Sequence, residues 1–399
     1  MRALTNGPAF GRGHEGFRWL HGKTNNLMND ALHILAWPAF KNRGPYNVLL
    51  NGNMQKLGAT VEEFGAWRLF RKRHDIVHLH WPEYCVNGRG TCAALFWSCA
   101  LFGAMCWTRI RGGKVVWTVH NLRSHLQQHP AIERQFWKMF TALLDGYIAL
   151  TEAGAERARR RYPALRAKPG FIIPHGNIRD AYPEVEVSRE AARLRLGIPR
   201  DARVFGFFGS VERYKGIVEL VETFSSLADG RAVLCVAGKC DLSPSERQCV
   251  ENIAARDKRI LLRFGYIPDS EVASYIRAVD LVVLPFREIL NSGSAVLALS
   301  LDRPVLVPAK GSMTELQQFA GGEWVYLYSG ELTPGTLQRS LEAAVEGEAS
   351  RGRCRALEAG WAGLGWQDLA QLTLDAYHSI IGPARQYRAK ARTSGKLAA

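Results

Sequence analysis

Phe205-Gly206-Phe207-Phe208-Gly209-Ser210-Val211-Glu212-Arg213-Tyr214-Lys215-Gly216 is the stretch that decides the fold. Residues 204–208 form a short apolar run of strand type, and the run breaks at Gly209. Tyr214-Lys215-Gly216 then opens an amphipathic helix, with Ile217, Leu220, Val221 and Phe224 on one face. Strand, glycine turn and lysine at a helix start form a phosphate cradle. Glycine lets the backbone approach, helix N–H groups point at the anion, and lysine adds a full charge.

A second candidate anion site follows in the same half. A strand ends at Leu284-Pro285, a loop carries Glu288 and Asn291, and a helix starts near Ser292-Gly293. Free amides at that start suit a second phosphate. Gly209, Arg213, Lys215, Ser292 and Gly293 are therefore the candidate ligands of a nucleoside diphosphate.

Around these sites strand and helix alternate. Strands are expected at 204–208, 232–237, 260–264, 280–284 and 304–307, with Asp269 capping one of the helices between them. The first half repeats the pattern, with strands at 33–37, 60–64, 76–80, 115–119, 146–150 and 171–174. This predicts an α/β protein of two Rossmann-like domains facing across a cleft. The expected divisions are an extension (1–30), a first domain (31–180), a second domain (181–365) and a closing helix with a basic tail (366–399).

Ligand sites of open α/β sheets lie beyond the carboxyl ends of the strands. In the first half those ends are polar: His78-Leu79-His80-Trp81-Pro82-Glu83, Thr118-Val119-His120-Asn121 and Thr151-Glu152. Glu83, His120 and Glu152 are expected to face Lys215 and Ser292, and Glu83 or His120 is the candidate base. His78 and His80 read as hydrogen-bonded core residues. Asn121, His125, His175, Glu288 and Asn291 complete the candidate cleft set.

Composition narrows the partners. Lys plus Arg less Asp plus Glu is 52 − 37 = +15, in a chain that is 47% hydrophobic. The excess favours an anionic partner, and no nucleic-acid-binding signature accompanies it. The eight cysteines form no CxxC pair and suggest a reducing, cytoplasmic setting. Residues 90–108 carry no charge, but strand-like runs flank them, so they read as a buried crossover helix rather than a membrane span, with a shallow membrane contact through the aromatics left open. No Asp-x-Asp, HExxH or GxxxxGK[ST] motif is present. Neutralisation of the diphosphate by Lys215, without metal or cofactor, is the expectation.

With these residues in view, the chain resembles the two-domain (GT-B) glycosyltransferases. It is most similar to the bacterial β-mannosyltransferases that extend lipid-linked exopolysaccharide units. The resemblance rests on residues 78–84, 118–122 with His125, His175-Gly176, 208–216, 281–293, 298–306 and 324–328, in that order. It implies sugar transfer from a nucleoside-diphosphate sugar to a polyprenyl-diphosphate-linked glycan at the inner membrane face. The enzyme would sit peripherally on an anionic membrane surface, to which the arginine-rich helix 152–162 and the tail are suited. Lys215 and the Ser292-Gly293 amides fall to the diphosphate, Glu83 and His120 to the acceptor side.

There are departures from that pattern. Ser210 and Glu212 stand where relatives usually carry arginine. Leu290 and Ala298 stand where broader relatives carry two glutamates flanking the Ser292-Gly293 turn. A nucleotide-sugar epimerase of the same shape, and a sugar-binding assembly partner without catalysis, are the alternative readings.

Overall fold

The computed structural model describes residues 31–382, apart from 42–43, 88–89, 125–127, 184, 349–351, 353 and 355–364. The extension 1–30, His125 and the basic tail lie outside the described residues.

All strand pairing within the two sheets is parallel. The first sheet is built from β1 (His33–Trp37), β2 (Thr60–Glu63), β3 (Ile76–Leu79), β4 (Lys114–Val119), β5 (Gly146–Ala149) and β6 (Gly170–Ile172). Their spatial order is β2-β1-β3-β4-β5-β6. The second sheet uses β7 (Arg203–Phe208), β8 (Ala232–Gly238), β9 (Ile260–Phe264), β10 (Leu281–Val283), β11 (Val305–Pro308) and β12 (Val325–Tyr328), ordered β12-β11-β10-β7-β8-β9. The two-Rossmann expectation holds. Each sheet reverses its winding once, between β1 and β3 and between β7 and β10. Crevices for ligands open at such switch points.

Both candidate phosphate loops leave the second switch point. Residues 209–216 follow β7 and residues 284–292 follow β10. In the first domain, β3 leads to Glu83, and β4, its sheet neighbour, leads to His120.

Helices cover both sheets. In the first domain they are α1 (Pro45–Lys56), α2 (Ala66–Arg71), α3 (Thr91–Ile110), α4 (Pro130–Leu143) and α5 (Glu152–Arg161). The second domain carries α6 (Arg189–Leu196), α7 (Ile217–Ser225), α8 (Pro244–Arg256), α9 (Asp269–Arg277), α10 (Gly293–Ser300), α11 (Met313–Ala320) and α12 (Pro334–Glu346). Pro268, not Asp269, occupies the cap position of α9; Asp269 is its first helical residue, where its charge still favours the helix dipole.

The last helix, α13 (Trp366–Ile381), returns to the first domain. Leu369, Leu374 and Tyr377 join Leu50 and Met54 of α1 in one buried cluster. Trp366 Nε1 donates to the Asn177 carbonyl between the domains. Tyr377 Oη lies 2.7 Å from His78 Nδ1, and His78 Nε2 lies 2.7 Å from Thr118 Oγ1, so both ring nitrogens of this core histidine are satisfied. Tyr377→Phe leaves His78 Nδ1 buried without a partner. The expected loss is about 1–2 kcal/mol, read from the urea unfolding midpoint.

One helix departs from its expectation. α3 is a crossover helix, but it is not buried. Ala94, Ser98, Leu101, Met105 and Thr108 are buried, a stripe at helical spacing that faces the sheet, with Phe102, Ala104 and Trp107 half-buried beside it. The opposite face, including Leu95, Phe96 and Ile110, is exposed. An uncharged sequence does not by itself say that both faces are covered.

Candidate active site

The two phosphate loops meet. Gly209 has φ +126°, and a Cβ there would lie 2.9 Å from Ser294 Oγ and 3.7 Å from Lys215 Nζ. The bare glycine thus sits between the lysine of one loop and the first turn of α10 from the other. Ser292 caps that helix, its hydroxyl accepting from the Ala295 amide at 3.0 Å. A Cβ on Gly293 would meet nothing within 4 Å, so the turn opens onto free space. Amides there, Ser294 and Lys215 are thus brought to one point, an arrangement whose chemistry suits an anion.

Lys215 lies on a short 3-10 turn (Arg213–Lys215) that precedes α7, rather than in the helix itself. The turn ends at Gly216, with φ +71° and a would-be Cβ only 2.2 Å from the Pro285 carbonyl oxygen. This contact locks one loop onto the other. Gly216→Ala is expected to cost about 1–3 kcal/mol in backbone strain alone, with the clash added. Urea denaturation measures it.

Lys215 is buried, and its ammonium donates to Ser210 Oγ at 2.8 Å. Ser210 in turn donates to Glu212 at 2.5 Å, and Glu212 lies 3.8 Å from the ammonium. Burial holds the Lys215 pKa below its ordinary value, against the pull of Glu212 and Asp241. A diphosphate would add counter-charge beyond that of Glu212. Arg213 is not brought to the same point: its exposed guanidinium turns outward to Glu246 of α8, at 3.2 Å.

Across the cleft, a 3-10 turn (Pro82–Cys85) presents Glu83. The carboxylate is 4% exposed and accepts from Asn121 Nδ2 at 3.0 Å. Burial raises its pKa to about 7, the Asn121 hydrogen bond opposes the rise, and Glu133 adds to it. Glu133 is itself fixed by the Ser124 amide at 2.6 Å and Trp137 Nε1 at 3.2 Å. A carboxyl poised near neutrality suits proton transfer from a hydroxyl.

His120 stacks on Trp81, with ring centroids 4.4 Å apart, and its Nε2 lies 3.1 Å from His80 Nδ1. Burial, with His175 and His78 adding to it, pushes its pKa well below the usual value. His120 is therefore a neutral imidazole at pH 7, a hydrogen-bonding group more than a strong base. His175 is held neutral in the same way, at about 4, with Nδ1 2.8 Å from the Gly176 carbonyl oxygen. Tyr46 joins the two, its ring 5.3 Å from His120 and 4.9 Å from His175.

The walls touch each other. Asn291 Nδ2 reaches the carbonyls of Val119 and His120, at 3.3 and 3.4 Å. Glu288 pairs with Arg123. Glu152 is exposed, and what it brings to the interface is its amide: that N–H and the Ala153 N–H donate to Glu315, at 3.1 and 2.6 Å. Leu290 packs within the first-domain core and Ala298 is fully buried, so apolar packing fills both positions.

Several of these groups were not in the candidate set. Ser294 sits next to Gly293, but its approach to Gly209 exists only once the loops pack. Tyr46, Trp81 and Glu133 gave no local signal, since an aromatic or glutamate near a helix start is ordinary surface or core. Among the described residues, no three potential metal-ligand side chains converge.

Two parallel six-stranded sheets facing a shared cleft are the GT-B architecture, and the chain belongs to the GT-B glycosyltransferases, as its relatives show. Residues 202–331 match the family described as glycosyl transferases group 1. The chain is 32% identical over 284 residues to the GDP-mannose:glycolipid 4-beta-D-mannosyltransferase of Xanthomonas campestris pv. campestris, covering 68% of this chain and 71% of that protein. It is 26% identical over 362 residues to a D-inositol 3-phosphate glycosyltransferase of Streptomyces avermitilis, covering 86% and 74%. Anabaena HepE, solved in complex with UDP and glucose, shares the fold with a TM-score of 0.61 at 14% identity over 86% of this chain and 98% of that one.

Proposed function

We propose that this glycosyltransferase moves mannose from GDP-mannose to a lipid-linked glycan at an anionic membrane surface. The likeness to the Xanthomonas mannosyltransferase favours that donor and a glycolipid acceptor. The observation that carries the reading is the meeting of Lys215, Gly209 and the α10 start opposite a buried carboxyl with a pKa near 7.

In this reading the donor diphosphate lies between Lys215, Ser294 and the first-turn amides of α10. The acceptor hydroxyl enters beside Glu83, which takes its proton as the oxygen attacks the anomeric carbon. The nucleoside diphosphate departs with the bond electrons, and Lys215 and the helix amides hold its new charge. Lys215 stands in for a metal, so EDTA is expected to leave turnover unchanged in an assay of labelled transfer.

Thermal shift tests the donor. A ligand bound only by the native state raises its melting temperature. GDP-mannose and GDP are expected to raise it more than UDP-glucose and UDP. Conversion of the donor without any acceptor would instead indicate an epimerase.

A further inference from the structure

We infer that the exposed face of α3, together with α2, is the surface by which this protein docks on an anionic phospholipid bilayer. The inference rests on the glycolipid-acceptor reading and says where the membrane would lie. An ordinary surface helix places charges opposite its buried stripe. α3 does not: Cys92, Leu95, Phe96, Cys99 and Cys106 face outward, and its first charge is Arg109. Phe96 is 64% and Ile110 80% exposed.

α2 extends the patch. Trp67 is 70% exposed, and Phe70 packs on Trp107 of α3 with ring centroids 5.3 Å apart. Cations border the aromatics: Arg71 lies over the Trp67 ring at 4.4 Å and Arg111 over the Trp107 ring at 5.6 Å. Arg68, Lys72, Arg73 and Arg109 are also exposed nearby, with Glu62 and Asp145 as their partly screening partners. Aromatics that enter the headgroup layer, ringed by arginine and lysine, match an anionic bilayer in both polarity and charge.

The buried stripe pins α3 to its own sheet, so the helix lies on the membrane and does not cross it. Its N-terminus follows the Glu83 turn, which puts the cleft beside the bilayer.

The test is flotation of the full chain with vesicles of phosphatidylglycerol and phosphatidylcholine, containing no glycolipid. Wild type is expected to float with these vesicles and far less with phosphatidylcholine alone. The Trp67→Glu, Phe96→Glu double variant is expected to lose about tenfold or more of its binding while keeping its donor-induced thermal shift. If that variant misfolds, Trp67→Ser with Phe96→Ser gives the same comparison. Unchanged flotation of a folded variant would overturn the proposal. So would loss of flotation on reversing Arg157, Arg160 and Arg161 of α5 with the α2–α3 face intact. A wild-type dimer that does not float, and that the variant dissolves, would assign the face to a second copy. Failure of flotation with an intact donor shift removes the docking surface alone; loss of the donor shift with flotation intact removes the transferase reading alone.

Discussion

Lys215→Ala is expected to lower turnover by about 100-fold or more with the fold intact, because removing one preorganised charge from a leaving-group site typically costs about 3–4 kcal/mol of transition-state stabilisation. The loss should fall on kcat as well as on kcat/KM, since the diphosphate gains charge as the glycosidic bond breaks. Stability should move the other way or not at all. The ammonium is buried, its pKa is depressed by burial, and its hydrogen bond is to Ser210. Removing it relieves a desolvated charge in the ligand-free protein, against the small loss of its 3.8 Å ion pair with the partly exposed Glu212, which keeps Ser210. The melting temperature without donor is therefore expected to hold or rise, while the donor-induced shift disappears. Steady-state kinetics and thermal shift on one preparation measure both. Near-normal turnover would remove Lys215 from the mechanism.

Glu83→Gln is the second large effect. General-base catalysis contributes about 10²–10⁴-fold, and the amide cannot accept the proton. In wild type, kcat/KM should rise with pH through about 7, as the buried carboxyl ionises. The variant should lose that limb. Stability carries the opposite sign. The folded state keeps the Glu83 proton up to about pH 7, whereas the ordinary value is 4.5. The unfolded chain thus releases it first, and the native state loses stability as pH rises from about 4.5 to 7. Glu83→Gln should flatten that part of the stability profile. Asn121 orients the carboxylate, so Asn121→Ala should shift the rate profile to higher pH by removing the bond that favours the ionised form.

The elements of this fold were legible because parallel strands are short apolar runs that end at glycine or polar residues. Residues 204–208 and 260–264 needed no tertiary information. The placement of Lys215, Gly209 and Ser292 was legible for the same reason, since each is local to a strand end. What the sequence hid is long-range. Ser294 meets Gly209 only because β7 and β10 are neighbours across the switch point. Glu83 draws its raised pKa from burial and from Glu133, far along the chain. Arg213 looked equivalent to Lys215, yet the turn that buries one points the other at α8. The reading of α3 as buried failed because a helix without charges has no pattern to separate its covered side from its open side, though its aromatics left a shallow membrane contact open.

Transfer of labelled mannose from GDP-mannose into a polyprenyl-diphosphate-linked oligosaccharide, in the presence of EDTA, tests the account most directly. Label is expected in the lipid phase for wild type, and at about 1% or less of that rate for Lys215→Ala. Label that stays in the aqueous phase for wild type, or equal rates for the two proteins, would contradict it.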